Sequence, residues 1–199
     1  MNPKLCHYVS KSNLCFSSNI SEECEAKYYM VHQKSLNKLL NRCPNCGHVC
    51  ESKEKSTSGS QLIVKFDCDK CPEEQKWLSQ PMVEGHNQIP QGNLDLSASI
   101  LFSGASSSRV IRVLKHAGVQ TFTDQTYHSY QKQHLQPTVY HDWRNQQVTS
   151  FAEVRTSTVP LVLGGDGRSD SPGHSAKYGT YSMMDLNLNR VLDFKIVQV

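Results

Sequence analysis

Long hydrophobic runs are missing from this sequence. No stretch of its 199 residues approaches the roughly 20 consecutive apolar residues that a membrane-spanning helix needs. The amino-terminal residues also lack the apolar core of a secretory signal. Hydrophobic residues make up 37% of the chain and aromatic residues 8%, so we expect several small units around modest cores. These absences predict an intracellular protein that is not held by a membrane.

Charge of one sign is also scarce. The sequence has 21 Lys and Arg against 18 Asp and Glu, a formal net charge of +3, which permits nucleic-acid binding without requiring it. Eight cysteines in a chain without a secretory signal indicate metal ligands or free thiols rather than disulfides. Cys6, Cys15 and Cys24 do not have a metal-ligand spacing, and we interpret them as plain thiols. A second site using Cys6 and His7 is the alternative.

Two CxxC motifs are the most informative feature that is present. They supply the candidate metal ligands Cys43, Cys46, Cys68 and Cys71. A CxxC turn points both sulfurs toward one ion, and two such turns complete the tetrahedral shell of Zn²⁺. Four closed ligands leave no position open for a substrate, so the predicted zinc is structural. The alternative interpretation is four reduced thiols without an ion.

Residues 40–81 are therefore predicted to form a zinc ribbon: a knuckle, a hairpin and a second knuckle. Gln61–Phe66 reads as a β-strand, and Ser56–Ser60 as the turn before it. The interval holds too few apolar residues for a core of its own, so the metal would have to hold the fold. Before the ribbon, residues 1–39 form a segment whose part from Glu22 onward is predicted to be helical.

Residues 92–150 are predicted to be helical. One helix runs from Arg109 to Ala117, with N-cap candidates at Ser106–Ser108 and Gly118 at the C′ position. Its apolar face is predicted from the i, i+3, i+4, i+7 pattern of Val110, Val113, Leu114 and Ala117.

A second, polar helix follows, capped by Thr123 with Asp124 in its first turn, and Pro137 is predicted to open a third. A helix, a glycine turn and a polar helix form the outline of a helix-turn-helix, from which Gln and Lys side chains can reach bases and phosphates. The alternative is a helical spacer with a solvated face. The DNA-binding candidates are Arg109, Arg112, Lys115, Gln125 and Lys132.

Residues 156–199 are predicted to form an antiparallel meander of three strands. The strands are Val159–Asp166, Tyr178–Asp185 and Val191–Val199, with a polar loop at Gly167–Gly173 after the first. The predicted class is thus α+β: a small zinc ribbon, a helix-turn-helix-like region and a β-meander. A carboxylate on the first strand of such a meander is how RNase H-like folds begin, and there it binds Mg²⁺ or Mn²⁺. The alternative for Asp166 is an ordinary strand-end aspartate.

The run from Gly164 to Tyr181 resembles a family of transposon-derived animal proteins similar to DDE transposases. The CxxC pairs, Trp77–Pro81, Gly92–Leu94 and Phe102–Ser106 fit the same family, so the resemblance covers about residues 40–199. It implies an RNase H-like fold that begins at the meander, with Asp166 as the first catalytic aspartate. Asp170 and Asp185 are weaker candidates that suit a turn and a strand end.

The sequence departs from that family because it stops at the third strand, before the later acidic residues. One carboxylate cannot position two metal ions, so we expect the chain as given to be inactive, with Mg²⁺ or Mn²⁺ relevant only to a completed catalytic domain. The resemblance implies a nuclear, DNA-binding protein, with a protein partner or self-association also compatible. The alternatives are a zinc-dependent protein–protein adaptor and a nuclease completed by further sequence.

Overall fold

The computed structural model describes residues 27–50, 52–83, 85–171 and 175–198. The chain divides into two compact units after Pro137. The described part is a mixture of helices and three small antiparallel sheets, which confirms the α+β class. The interpretation of Cys6, Cys15 and Cys24 lies outside the described residues. No helix in the described ranges is long and apolar enough to cross a membrane.

The described helices and strands follow one another in a fixed order along the chain. They are α1 (Gln33–Leu39), β1 (Ser52–Ser58), β2 (Gln61–Phe66), β3 (Gln75–Leu78), β4 (Met82–Val83), β5 (His86–Pro90), α2 (Gln91–Phe102), α3 (Ser107–His116), α4 (Asp124–Tyr130), a π-helical turn (Gln131–Leu135), α5 (Gln136–Thr156), β6 (Leu163–Ser169), β7 (Tyr178–Asp185) and β8 (Arg190–Gln198).

The ribbon segment contains an antiparallel sheet in the order β1-β2-β3. Strand β2 has the predicted bounds, but the predicted turn at Ser56–Ser60 is too long, because β1 continues to Ser58. The turn is confined to Gly59 and Ser60, and Gly59 takes the left-handed φ of 62° that glycine tolerates. Polar residues fit β1 because it is an edge strand. Strand β3 was not predicted.

A small hydrophobic core supports this sheet. It consists of the buried side chains Leu40, Val64 and Phe66, with Leu36 and Trp77 packed against them. Helix α1 is shorter than predicted, since residues 27–32 are not helical. It begins after His32, whose Nδ1 accepts a hydrogen bond from the Lys34 backbone N–H at 3.2 Å and so caps the helix.

Helix α3 ends as the sequence predicts. Gly118 has a φ of 72°, its N–H donates to the Lys115 carbonyl, and the Val119 N–H donates to the Leu114 carbonyl at 2.8 Å. This pair of bonds is a Schellman motif, which satisfies the last carbonyls of the helix.

The predicted apolar face of α3 is partly correct, since Val110 packs on the buried cluster and Leu114 is half-buried. Ile111 is the buried residue and packs with Ile100, Phe122 and Tyr127, whereas the Val113 side chain is 66% exposed. The helix is thus turned so that Ile111 faces the helical core with Val110 beside it, and Val113 faces solvent.

Thr123 caps α4 as predicted, because its Oγ1 accepts from the Thr126 N–H at 3.2 Å. Pro137 does not open a separate helix. The chain stays helical from α4 through the π-helical turn into α5, which runs to Thr156, beyond the predicted limit at 150. Pro137 has no N–H and its ring crowds the carbonyl four residues earlier, and the wider π turn just before it accommodates this.

The second unit contains the predicted antiparallel meander, in the order β6-β7-β8. Strand β7 has the predicted bounds, but β6 covers Leu163–Ser169 rather than Val159–Asp166. Asp166 therefore lies in the middle of its strand, opposite Ser182. Gly167, which was predicted to begin the loop, belongs to the strand. Gly165 leaves space for the ring of Tyr181, which a side chain at that position would strike.

Helix α5 packs on strand β8 within the second unit. The rings of Trp143 and Phe194 lie 5.2 Å apart between centroids, and the Gln147 side chain donates to the Leu192 carbonyl at 3.0 Å. Leu192 is the one large hydrophobic side chain that is buried in the described part of this unit. Several others are exposed on its strands: Leu163, Tyr181, Met183, Val191, Phe194, Ile196 and Val197.

Candidate metal centre

The four predicted ligands come together. The Sγ atoms of Cys43, Cys46, Cys68 and Cys71 all lie within 4.8 Å of one another. Cys43 Sγ is 3.7 Å from Cys71 Sγ, and Cys46 Sγ is 3.5 Å from Cys68 Sγ. Within the described ranges, this is the only group of three or more His, Cys, Asp or Glu side chains that could hold a metal ion.

The separations fit a tetrahedral ion. Four sulfurs at the usual Zn–S distance of about 2.3 Å would lie about 3.8 Å from one another. Two of the six separations, at 3.5 and 3.7 Å, are close to that value and far from the ~2.05 Å of a disulfide, and all six lie within 4.8 Å. The cluster therefore has the donor set and the dimensions of a four-thiolate metal site. Zinc is the metal that such a set most commonly holds in a structural role.

The first CxxC motif lies in a tight hairpin. The Gly47 N–H donates to the Cys43 carbonyl at 3.0 Å, and the Cys43 N–H donates to the His48 carbonyl at 2.8 Å. Gly47 has a φ of 71°, which closes the turn at no steric cost. The hairpin is held further by the Arg42 guanidinium, which donates to the Gly47 carbonyl at 3.2 Å.

The second CxxC motif follows β2 directly. The Cys71 N–H donates to the Cys68 carbonyl at 3.0 Å, which closes the turn over Asp69 and Lys70. Asn45 of the first motif donates its side-chain N–H to Cys71 Sγ at 3.7 Å, so the two motifs also contact each other outside the ring of sulfurs. Such contacts orient metal ligands from outside the coordination shell.

The local environment shifts the pKa values of the cysteine thiols in opposite directions. The backbone N–H of Cys46 and other local donors lower the pKa of Cys43 to about 7, whereas burial raises the pKa of Cys71 to about 12. Burial also raises the pKa of the nearby Cys50 thiol. Four thiolates cannot ionise side by side without a cation among them, and a coordinated metal deprotonates its thiol ligands. The chemistry of the donor set thus requires a bound cation for the four-thiolate form.

Asp166 does not form a metal-binding cluster with other acidic residues in the described part of the chain. It is exposed, and its Oδ1 accepts a hydrogen bond from the neighbouring Gly167 N–H at 2.9 Å. Asp185 is buried and accepts from the Asn187 N–H at 2.8 Å, and Asp170 accepts from the Lys177 N–H at 3.1 Å. Asp185 therefore organises a strand end and Asp170 a turn, which are the structural roles that suited these weaker catalytic candidates.

The five DNA-binding candidates are all exposed. Arg109, Arg112 and Lys115 lie on α3, Gln125 on α4 and Lys132 in the π-helical turn. The three α3 cations lie within seven consecutive residues, along one helix of about three turns.

A buried amide network joins the ribbon to the helices, and it was not predicted from the sequence. Asn93 of α2 is 1% exposed, and its Oδ1 accepts from both the N–H and the Oγ of Ser60, at 2.8 and 2.7 Å. Its Nδ2 donates to the Ser58 carbonyl at 3.0 Å. Gln80 donates to Ser60 Oγ and accepts from the Gly92 N–H. An asparagine in an apolar helix pattern is the one hint, since a buried amide needs partners.

No protein-family model, no curated protein and no solved structure matches this chain. The four-cysteine cluster and the surfaces around it are therefore the basis for a functional proposal.

Proposed function

We propose that this chain is a zinc-ribbon protein that binds duplex DNA and derives from a DDE transposase. The observation that carries the proposal is the four-sulfur cluster, whose separations fit one Zn²⁺ ion. A closed four-thiolate site is structural, so the role of zinc is to hold the ribbon and not to act on a substrate. DNA binding in the nucleus, with the helices as the contacting part, is the function that this scaffold would serve.

Contacts within the first unit support a link between the metal and the helices. The β1–β2 turn beyond the knuckles is fixed to α2 by Asn93, and the Gln120 side chain after α3 donates to Thr57 Oγ1 of β1 at 3.2 Å. Loss of the ion would loosen the ribbon, because its core has only three buried side chains. The helices would then lose the sheet against which Asn93 and Gln120 bind.

The transposase part of the proposal depends on the meander. Strand β6 carries Asp166 at the edge of an antiparallel three-stranded sheet, an arrangement compatible with the start of an RNase H-like domain. We propose that Asp166 occupies the ancestral position of the first metal-binding aspartate. Two-metal nuclease chemistry with Mg²⁺ or Mn²⁺ needs further acidic residues beside Asp166.

Binding of a duplex of about 20 base pairs, measured between 50 and 200 mM salt, tests the DNA-binding function. Four phosphate contacts by the proposed cations would give a slope of log Kobs against log[salt] of about −3.6, and roughly a 100-fold loss of affinity over that range. Weak binding that does not change with salt would contradict the proposal.

A protein–protein adaptor is the second candidate. The exposed apolar strand residues of the second unit favour it, because contiguous exposed apolar surface commonly marks an interaction site. An adaptor predicts zinc binding without salt-dependent DNA affinity, so the same titration separates the two functions. A complex with one protein that survives nuclease treatment and is lost in an Ile196→Asp variant would support the adaptor.

A further inference from the structure

Helix α3 is presented to solvent far more than its neighbour α4. Six of the ten residues of α3 are exposed, against two of the seven residues of α4. Ile111 is the one buried residue of α3. The Val113 side chain, by contrast, is 66% exposed. A helix attached along one edge leaves most of its circumference free for a partner.

The outer surface of α3 carries positive charge that is not neutralised. Arg109, Arg112 and Lys115 make no ion pair with any carboxylate among the described residues. Lys65 pairs with Glu54 at 3.1 Å and Arg190 pairs with Glu153 at 2.9 Å, whereas most other described Lys and Arg side chains form no ion pair. The three α3 cations differ from these because they lie together on one exposed helix, where their charge is available to an external anion.

An open cavity lies beside these cations. Its volume is about 480 Å³, and it is lined by Ser108, Ile111, Arg112, Lys115, His116 and Asp124. Ser108, Arg112, Lys115 and His116 follow the i, i+4, i+7, i+8 spacing of one helix face. Ile111 is its one apolar lining residue, which is unlike the largely apolar lining of a small-molecule pocket.

The single acidic residue that lines the cavity, Asp124, already accepts a hydrogen bond within the chain. Asp124 Oδ1 accepts a hydrogen bond from Ser107 Oγ at 2.9 Å, and the carboxylate lies in the first turn of α4, where it favours the helix dipole. It forms no ion pair with Arg112 or Lys115. The lining thus has two cations against one carboxylate, with a hydroxyl and an imidazole beside them, and so keeps a net positive charge.

We infer that α3 is the helix that contacts DNA and that Arg112 and Lys115 bind backbone phosphates at the mouth of this cavity. This inference rests on the proposed function and names the surface responsible for it. From Arg109 to Lys115 the helix rises about 9 Å, and a duplex carries one charge per ~1.7 Å of its axis, so the row can meet several phosphates. The helix-turn-helix outline assigns this contact to the second helix, whereas the structure leaves most of α4 packed.

The test is a double variant, Arg112→Gln with Lys115→Gln, compared with the unmodified chain by duplex-DNA titration between 50 and 200 mM salt. Two lost phosphate contacts should make the slope of log Kobs against log[salt] shallower by about 1.8. Both side chains are exposed, so the melting temperature should stay unchanged. Circular dichroism and zinc content verify that the variant is folded.

The matched control is Lys34→Gln with Lys38→Gln, which removes the same charge from two exposed positions of α1. It should leave the slope unchanged. Equal slopes for the unmodified chain and the α3 variant would overturn the inference while leaving DNA binding intact, and equal effects of both variants would show a diffuse charge effect instead. If the unmodified chain does not bind DNA, the proposed function itself fails. Equal binding of an RNA duplex of the same length would overturn the assignment to DNA.

Discussion

At the scale of single residues, the thiols near the metal site are not equivalent. Cys43 and Cys68 are buried, Cys46 is exposed, and Cys71 is intermediate. Cys50 is close to the site but lies outside the cluster of four, and its partly buried side chain packs against the small ribbon core. The geometry thus assigns four cysteines to the ion and leaves the fifth as a packing residue.

We predict that Cys68→Ser loses zinc. Replacement of one thiolate of the closed shell should weaken zinc binding by more than about 100-fold, since changes outside the shell alone already cost 10–100-fold. Competition with a chromophoric chelator measures the change. The control is Cys50→Ala, which should keep one zinc per chain. A Cys50→Ala protein without zinc, or a Cys68→Ser protein with unchanged affinity, would show that the shell is misassigned.

At the scale of elements, the β1–β2 turn and helix α2 depend on each other. Asn93 supplies three hydrogen bonds from α2 to Ser58 and Ser60, and Gly59 lies between them without a side chain. A Cβ atom at Gly59 would fall within 2.4 Å of the Asn93 amide, so the glycine is needed for this approach as well as for its φ. The hairpin tip is therefore a docking point and not a free loop.

We predict that Asn93→Ala destabilises the first unit. It removes three partly buried hydrogen bonds and takes the acceptor from the Ser60 N–H, so we expect a loss of about 1–3 kcal/mol, the cost of an unsatisfied polar group. Urea unfolding measures the free energy of unfolding. Asn37→Ala is the matched control: Asn37 is exposed and accepts one bond from Lys55 Nζ, so its loss should stay within about 0.5 kcal/mol. Equal losses in both variants would refute the docking role of Asn93.

At the scale of the whole molecule, the two units differ in how they are stabilised. The first contains three clusters of buried hydrophobic residues as well as the cysteine cluster. The second buries Leu192 and little else of comparable size in its described part. A three-stranded sheet with one covering helix and exposed apolar residues is marginal, so the greater share of the stability belongs to the first unit.

The sequence predicts best what short-range chemistry decides. The CxxC spacing, the strand Gln61–Phe66, the Thr123 cap and Gly118 all depend on a few neighbouring residues, and the structure confirms each. The buried position Ile111 depends on which helices meet, and periodicity alone did not distinguish it from Val113. Gly167 was predicted to begin a loop because glycine favours turns, whereas it lies in β6 opposite Tyr181, a pairing that depends on the next strand.

The bound metal is tested most directly by zinc content from elemental analysis, with thermal melting before and after a strong chelator. We predict one zinc per chain. Saturation at about 1,000 times Kd contributes roughly 4 kcal/mol, so removal should lower the Tm by about 10 °C. A purified protein that contains no transition metal, and whose melting curve is the same with and without the chelator, would contradict the account.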